Sequence, residues 1–296
     1  MKYRHILIIC FLASTLISCD NKIGLPRPDH IIVIIEENHG YDQIIGSEAA
    51  PYINQLAKRS AVFTDAHGVT HPSQPNYLAI FSGSIQGVTN DHCLKDTTPF
   101  HTPNIGSSLI EAGLTFKGYA QSMPISGFLG CYDKKSPLTG GYLYGRKHAP
   151  WINWQGMGSN NIPDSLSQPM SEFPEDFSRL PNVSFVIPDM DHDMHNIGIP
   201  GDTAAIQRGD NWLKLNIDRY VQWAKNNNSL LILTFDEDQF TKKNHILTLF
   251  SGAMVNPGYY PEKINHFNVL HTIEAMYNLT VSDTTHANII QGIWRK

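Results

Sequence analysis

The sequence carries little charge and no excess of positive charge. Its 296 residues include 22 lysines and arginines against 27 aspartates and glutamates, which gives a formal net charge of −5. This balance provides no electrostatic reason to expect a nucleic-acid ligand, so we expect no such partner. Internal repeats and low-complexity tracts are also absent from the sequence. The length fits one large α/β domain or, less readily, two small ones.

Long apolar runs are missing except at the N-terminus, where the pattern is typical of an export signal. Lys2 and Arg4 precede an apolar stretch at residues 6–17. This stretch is too short to span a bilayer as a helix of the mature protein. It ends at Leu16-Ile17-Ser18-Cys19, which resembles a bacterial lipobox.

The lipobox-like end sets the expected domain boundaries. We expect a lipoprotein signal peptide at residues 1–18, a lipid anchor and tether at residues 19–29, and one folded domain at residues 30–296. Cys19 would carry the lipid and hold the protein to a membrane. The protein is then expected at the bacterial cell envelope, on the periplasmic or outer side, with plain secretion as the alternative.

Cysteine is scarce, with four residues in the chain. Cys10 lies in the signal and Cys19 is the expected anchor, so Cys93 and Cys131 remain. In an exported protein, two remaining cysteines form a disulfide more often than they bind a metal or act as nucleophiles. We therefore predict a Cys93–Cys131 disulfide.

The rest of the chain alternates predicted strands and helices. Continuous apolar runs at residues 31–35 and 230–235 indicate buried parallel strands, and the periodicity at residues 210–225 indicates a helix. This alternation predicts an α/β fold with three α/β/α layers around a mostly parallel sheet. Residues 122–171, rich in Gly, Pro, Asn and aromatics, are predicted to form a long loop or cap. Further strands are predicted at residues 114–120, 183–187 and 246–250, and further helices at residues 51–59, 76–81, 104–112 and 267–277.

Two groups of polar residues in the first third of the chain are candidate metal ligands or catalytic residues. Glu36-Glu37-Asn38-His39 follows the first strand, and its adjacent carboxylates repel each other unless a cation offsets them. Glu37 and Asn38 are therefore candidate metal ligands, although a solvated strand end is the alternative. Ser73 leads into a helix, where its hydroxyl could attack a bound anion or only cap the helix.

A third group follows the strand at residues 183–187 and holds three aspartates and two histidines within seven residues. Asp189, Asp193 and His195 are candidate metal ligands, and His192 is a candidate catalytic residue. A purely structural turn is the alternative.

A fourth group follows the strand at residues 230–235 and begins with Asp236 and Glu237. His245 and His266 come later in the chain, and histidine is a common metal ligand. Ligands in a parallel sheet collect at the carboxyl ends of the strands, where all four groups would lie. A hydroxyl between two acid pairs favours metal-assisted attack on a phosphate ester.

Four segments together resemble the bacterial phosphoesterase family, which holds secreted acid phosphatases and phospholipases C and belongs to the alkaline phosphatase superfamily. The resemblance covers roughly residues 30–280 and implies an alkaline-phosphatase-like fold. The segments that carry it are residues 34–42, residues 70–77, Asp193-Met194-His195 and Phe235-Asp236-Glu237.

The resemblance implies roles for these residues. Ser73 would be the nucleophile, and Asn76 would donate to a phosphoryl oxygen. Glu37 with Asn38, and Asp236 with Glu237, would be the two metal-binding pairs. His195 would follow the acidic turn, and either His245 or His266 would be the last histidine. One or two divalent ions are implied, with Zn, Ca, Mg and Mn left open.

These observations favour an acid phosphatase that hydrolyses phosphate monoesters of small molecules or lipid headgroups. His71, His192 or His195 could protonate the leaving oxygen. A phospholipase C-like phosphodiesterase is the nearest alternative. Arg146, Lys147 and His148 could then bind the phosphate or lipid headgroup, unless that stretch is only a packed loop. A surface lipoprotein without catalytic activity is a further alternative.

Overall fold

A computed structural model of the chain describes residues 24–199, 201–280 and 287–295. The predicted signal peptide, Cys10 and the predicted anchor residue Cys19 lie outside the described residues. Among the helices in the described ranges, none is both long and apolar enough to cross a bilayer.

The strands form one large sheet and one small hairpin. Eight strands build the large sheet in the order β10-β2-β9-β8-β1-β7-β3-β6, and β4 pairs with β5 in the hairpin. Their bounds are β1 His30–Glu36, β2 Ala61–His67, β3 Phe116–Ala120, β4 Tyr132–Lys135, β5 Tyr142–Gly145, β6 Ser167–Pro169, β7 Val183–Ile187, β8 Ser229–Phe235, β9 His245–Gly252 and β10 Gly258–Asn265.

The helices form two groups around this sheet. Helix α3 packs against α4 and α7, whereas α2 and α6 pack against α5. Their bounds are α1 Tyr41–Ile44, α2 Pro51–Ala57, α3 Ser73–Ser82, α4 Ile105–Glu111, α5 Asp202–Asn216, α6 Asp218–Ala224 and α7 His266–Met276, and the 3-10 helices are Arg146–His148, Pro150–Trp154, Asp164–Leu166, Met170–Glu172 and Phe177–Arg179.

The predicted three-layer α/β fold with a mostly parallel sheet is confirmed. Strand β1 pairs in parallel with both β7 and β8 at the centre, and only β9 runs antiparallel to its neighbours among the described strands of the large sheet. All three central strands are almost fully buried because helices cover both faces, which explains their continuous apolar runs. Their carboxyl ends therefore meet at one edge of the sheet.

Some elements differ from the prediction for physical reasons. Strand β2 was not predicted because Thr64, Asp65 and His67 interrupt its apolar pattern, and the edge strand β10 has mostly exposed side chains. The helix predicted at residues 210–225 is two helices, α5 and α6. The segment predicted as a loop or cap holds the β4–β5 hairpin and several 3-10 helices.

Candidate active site

Ser73 is the first residue of α3 and lies almost fully buried at the carboxyl edge of the sheet. Its hydroxyl donates to Glu37 Oε2 at 3.1 Å and to Glu237 Oε1 at 3.2 Å. Glu37 follows β1 and Glu237 follows β8, and these two strands are parallel neighbours. The structure thus places the predicted nucleophile beside one carboxylate from each predicted metal-binding pair.

The other residue of each predicted metal-binding pair, Asn38 or Asp236, completes the cluster. Asn38 donates its backbone N–H to Asp236 Oδ1 at 3.0 Å and its side-chain amide to Glu37 Oε2 at 3.0 Å. Asn38 lies in the left-handed region at φ 56°, which turns the chain sharply at the end of β1. The four predicted metal ligands therefore form one connected cluster at Ser73, and all of them offer oxygen.

Two oxygens of this cluster have neither a hydrogen bond nor an ion-pair partner within the described part of the chain, although buried polar atoms normally have one. Asn38 Oδ1 and Asp236 Oδ2 are buried and have no hydrogen-bond partner among the described residues. Such atoms are rare in folded proteins and call for a partner. Divalent cations such as Ca²⁺ and Mg²⁺ prefer carboxylate and amide oxygens. The donor set therefore fits a divalent cation held by Glu37, Asn38, Asp236 and Glu237.

The carboxylates also repel one another, and burial together with this repulsion raises the pKa values of Asp236 and Glu237. Burial raises the pKa of Asp236 well above its usual range, and the charges of Glu37 and Glu237 add to this effect. Burial also raises the pKa of Glu237 to about 7, although a hydrogen bond from His71 opposes it. A cation beside these groups would favour their charged forms.

His148 supplies positive charge on the opposite side of Glu37. Its Nε2 lies 2.9 Å from Glu37 Oε1, its Nδ1 lies 3.0 Å from Asp193 Oδ2, and its ring stacks on Tyr77. Burial lowers the pKa of His148, but the Glu37 charge outweighs it and raises that pKa to about 9. The same pair holds the pKa of Glu37 low despite its burial.

Glu37, His148 and His195 lie close enough together to suggest a second way of holding a metal. Both ring nitrogens of His148 already face carboxylates, however. The imidazole is thus arranged as a doubly paired cation, and the oxygen donors around Ser73 fit a metal better.

Lys147 lies next to His148 and pairs with Asp91, a residue that was not predicted from the sequence. Its Nζ lies 2.7 Å from Asp91 Oδ2 and 3.3 Å from His195 Nε2. Asp91 Oδ1 accepts the backbone N–H of Gln74, the residue after the nucleophile, at 2.9 Å. Burial lowers the pKa of Lys147, but the charges of Glu37 and Asp91 outweigh it and raise that pKa.

The predicted disulfide is present and explains how Asp91 reaches the site. Cys93 and Cys131 are bonded, and the carbonyl of Cys131 accepts the backbone N–H of Arg146. The bridge therefore holds the loop that carries Asp91 against the segment that carries Lys147. The position of Asp91, two residues before a cysteine, was the only signal in the sequence.

His71 lies on the other side of the cluster. Its Nδ1 lies 2.7 Å from Glu237 Oε2, and its Nε2 lies 3.0 Å from the Thr241 carbonyl oxygen. The ring stacks on Phe240 at 4.9 Å. Both nitrogens are therefore occupied, and His71 orients Glu237.

Most of this cluster falls in a stretch that matches a known family. Ser73, Asp236 and Glu237 lie within residues 47–280, which match the model of the Phosphoesterase family. The chain belongs to the phosphoesterase family. The predicted family is thereby confirmed, and the protein is a hydrolase that acts on phosphoric ester bonds.

Similar proteins include several phosphatases. A phosphatidylinositol-3-phosphatase of Mycobacterium tuberculosis is 40% identical over 304 residues, which cover 99% of this chain and 94% of the relative. A probable acid phosphatase of Kluyveromyces lactis is 26% identical over 83% of this chain and 58% of its own length. A phosphate-repressible acid phosphatase of Penicillium chrysogenum is 27% identical over 77% of this chain and 54% of its own length. This phosphoesterase thus spans little more than half the length of these fungal relatives.

Solved structures show the same fold. A protein of the alkaline phosphatase superfamily from Vibrio parahaemolyticus matches with a TM-score of 0.60 at 12% identity, over 88% of this chain and 71% of that chain. Murine ectonucleotide pyrophosphatase/phosphodiesterase 5 matches with a TM-score of 0.57 at 11% identity, over 86% of this chain and 96% of that chain. The predicted alkaline-phosphatase-like fold is confirmed.

Asn76 of this phosphoesterase does not have the donor role that the resemblance implied. Its Oδ1 accepts the backbone N–H groups of Val69 and Thr70, and its Nδ2 donates to the carbonyls of Thr70 and Pro72. The amide is fully used in bracing the loop before Ser73. It is therefore not free to donate to a phosphoryl oxygen in this structure.

Asp189 and His192 form a pair of their own rather than joining the cluster at Ser73. His192 Nδ1 lies 2.7 Å from Asp189 Oδ1, and Ser122 donates to Asp189 Oδ2 at 2.7 Å. His192 lines a groove along α5 with Arg208 and Trp212. The metal role predicted for Asp189 and the catalytic role predicted for His192 do not fit these positions.

Asp193 is present at the site, but its contacts are not those of the predicted ligand. Its two carboxylate oxygens face His148 Nδ1 and the backbone N–H of His195. Asp193 therefore positions two histidines instead of facing the Ser73 hydroxyl.

Arg146 also departs from its predicted role in substrate binding. Its guanidinium is buried and donates to the Leu129 carbonyl, Thr98 Oγ1 and Asn153 Oδ1. These contacts stabilise the loop behind Lys147 and His148. Of the three residues predicted to bind substrate, only Lys147 and His148 face the site.

Neither candidate for the last metal-binding histidine touches the carboxylates at Ser73. His245 Nε2 lies 3.0 Å from the Thr64 carbonyl oxygen, and its ring stacks on Tyr41. His266 is buried, and its Nε2 donates to the Phe235 carbonyl at 2.9 Å. Both Nε2 atoms thus face backbone carbonyls, whereas His266 Nδ1 is buried and has no hydrogen-bond partner among the described residues.

Proposed function

We propose that this phosphoesterase is a metal-dependent phosphomonoesterase with Ser73 as its nucleophile. The observation that carries the proposal is the contact of the Ser73 hydroxyl with both Glu37 and Glu237. A buried hydroxyl between two carboxylates at a helix start is suited to lose its proton as it attacks phosphorus.

The proposed reaction has two steps. Ser73 Oγ forms a bond to phosphorus, its proton passes to Glu237, and the ester P–O bond breaks. The leaving oxygen takes a proton from the Lys147–His195 pair, whose nitrogens lie 3.3 Å apart. Water then attacks the phosphoserine and gives a proton back to the Lys147–His195 pair. The bond between Ser73 Oγ and phosphorus breaks, Ser73 Oγ takes its proton back from Glu237, and inorganic phosphate leaves.

Positive charge around Ser73 supports binding of a phosphoryl group. Lys147 and His148 supply it from this chain, and both are buried against the site. A divalent cation held by Glu37, Asn38, Asp236 and Glu237 supplies, when bound, charge neutralisation and a lower pKa for the Ser73 hydroxyl. The all-oxygen donor set favours magnesium, calcium or manganese over zinc.

The relatives support a monoester as the substrate. The 40% identical relative is a phosphatidylinositol-3-phosphatase, and the fungal relatives are acid phosphatases. We propose that the substrate is a phosphate monoester on a small molecule or a lipid headgroup. We also propose that the protein is exported to the cell envelope and anchored there at Cys19.

Hydrolysis of matched aryl esters tests this function. The full chain is incubated with p-nitrophenyl phosphate and with its bis-ester, before and after treatment with a chelator. We expect the monoester to be the better substrate by at least about 100-fold and its hydrolysis to need added Mg²⁺, Ca²⁺ or Mn²⁺ after chelation. Preference for the bis-ester would favour a phospholipase C-like diesterase, and unchanged rates after chelation would exclude a metal.

A further inference from the structure

An exposed apolar surface lies beside the active site. Tyr132 and Tyr142 of the β4–β5 hairpin and Leu138 at its turn are exposed, and Ile197 and Ile199 are exposed in the loop after β7. The exposed fraction reaches 58% for Leu138 and 89% for Ile199. We call these five residues the apolar patch. Large apolar side chains grouped on a surface commonly mark an interaction site.

The two segments of the apolar patch are in contact. The rings of Tyr132 and Tyr142 stack with their centroids 4.7 Å apart. Asn196 donates to the Tyr142 carbonyl at 2.9 Å, and a Cβ atom added at Gly198 would lie 2.8 Å from Thr139 Cγ2. The hairpin turn and the loop therefore form one surface.

The chain connects both segments directly to the catalytic groups. Strand β5 leads into Lys147 and His148, and the loop with Ile197 and Ile199 follows His195. Lys147 Nζ and His195 Nε2 lie 3.3 Å apart at the site. A surface that docks on the apolar patch would therefore lie next to the phosphoryl site.

Positive charge accompanies the apolar patch. Lys134 and Lys135 are exposed on β4, and Lys135 Nζ lies 4.0 Å from the centre of the Tyr142 ring. The nearby Asp191 is buried, and Ser136, Thr139 and Asn196 donate to it. Exposed tyrosines with lysines are the side chains that suit the boundary between water and an anionic lipid surface.

We propose that the apolar patch docks this phosphoesterase on anionic phospholipid membranes and presents a phosphorylated lipid headgroup to Ser73. The inference rests on the proposed phosphomonoesterase function and adds a membrane-bound substrate to it. The lysines complement the charge of anionic headgroups, and the isoleucines, leucine and tyrosines enter the boundary with the acyl chains.

A fluorescent probe on the apolar patch tests the docking itself. Leu138→Cys is labelled with an environment-sensitive fluorophore in a full chain that carries Cys10→Ser and Cys19→Ser. Leu215→Cys on α5 is the matched control, because Leu215 is 77% exposed. Vesicles of phosphatidylcholine, with or without phosphatidylserine, are then added.

We expect the probe at residue 138 to shift to shorter wavelength with phosphatidylserine vesicles, while the probe at residue 215 stays unchanged. Lys134→Gln and Lys135→Gln should each weaken the vesicle affinity about fivefold at low salt. No shift at either probe, or equal shifts at both, would overturn the proposal.

Turnover separates the docking from the proposed function. The triple variant Leu138→Ser/Tyr142→Ser/Ile199→Ser should retain its rate on p-nitrophenyl phosphate and lose at least about tenfold on phosphatidylinositol 3-phosphate in vesicles. Met157→Ser/Leu215→Ser/Tyr259→Ser alters exposed apolar residues outside the patch and should retain both rates.

The outcomes of this comparison are distinct. Equal rates of the patch variant and the wild type on vesicles would overturn the docking and leave the phosphatase function standing. A probe shift at residue 138 without hydrolysis of any phosphate monoester by the wild type would overturn the proposed function and leave the docking standing.

Discussion

Asp91 connects the nucleophile helix to the lysine that faces the phosphoryl site. One of its carboxylate oxygens accepts the N–H of Gln74, and the other lies 2.7 Å from Lys147 Nζ. The loop that carries Asp91 is held by the Cys93–Cys131 disulfide. Asp91 thus positions Lys147 without itself touching the Ser73 hydroxyl.

Asp91→Asn should raise the KM for p-nitrophenyl phosphate about tenfold with a smaller change in kcat, because a charge-assisted hydrogen bond to Lys147 is lost. Steady-state kinetics measure this, and Asp96→Asn, an exposed change in the same loop, is the control. In Lys147→Ala the Asp91 change should have little further effect. A full additional loss in the double variant would show that Asp91 acts independently of Lys147.

His266 makes stability depend on pH. Burial lowers its pKa from 6.5 to about 4, although the hydrogen bond to Phe235 opposes this. Between these two values the unfolded chain binds a proton at His266 that the folded chain excludes. The free energy of unfolding should therefore fall as the pH decreases through this window, and the contribution is fully present above it.

His266→Gln should remove this pH dependence. Relative to the variant, the wild type should lose about 2.5 kcal/mol of unfolding free energy between pH 7 and pH 4.5. Urea unfolding at both pH values measures this difference, and His101→Gln, an exposed change, serves as the control. The same pH dependence in wild type and His266→Gln would contradict the burial argument.

The sequence indicated which single residues gather at the site better than it indicated the role of each residue there. Ser73, Glu37 and Asp236 were predicted from strand ends and a helix start, and they meet in the structure. The resemblance implied that Asn76 donates to a phosphoryl oxygen, but a side-chain amide can equally well hydrogen-bond a ligand or the backbone of a loop. Only the path of residues 68–72 decides that its amide braces the loop.

The disulfide connects two elements because it joins the loop before α4 to Cys131, the residue just before strand β4. Cys93 and Cys131 are 38 residues apart in sequence. The bridge therefore closes a sizeable loop in the unfolded chain and restricts the conformations open to it.

Cys93→Ser/Cys131→Ser should lower the free energy of unfolding by about 4 kcal/mol. Denaturant unfolding of the variant and the wild type at equal pH measures the loss. Wild type with dithiothreitol should approach the variant, whereas dithiothreitol should leave the variant itself unchanged. A loss below about 1 kcal/mol would mean that the bridge adds little to the packing already present.

Elements in the centre of the sheet were predictable, and those at its margins were not. Strand β7 has the predicted bounds because a strand covered on both faces is apolar throughout. Strand β10 was missed because an edge strand exposes many of its side chains. The 3-10 helices Arg146–His148 and Pro150–Trp154 were predicted as loop because such short turns leave no long apolar period.

At the scale of the whole molecule, the order of the strands determines the site. Strands β8, β1 and β7 are neighbours, so Asp236, Glu37 and Asp193 leave the sheet side by side. The sequence predicted that these groups would gather at one edge, but it could not give the strand order. It therefore could not separate Asp193, which faces His148, from the carboxylates around Ser73.

We propose that Ser73 carries the phosphoryl group during turnover, and this phosphoserine can be trapped. The full chain is mixed with p-nitrophenyl phosphate and Mg²⁺, quenched in acid and digested, and its peptides are examined by mass spectrometry. We expect phosphate on Ser73 in the wild type and no phosphopeptide in Ser73→Ala, whose rate should fall at least about 1000-fold. Full activity of Ser73→Ala, or phosphate on a different residue, would contradict it.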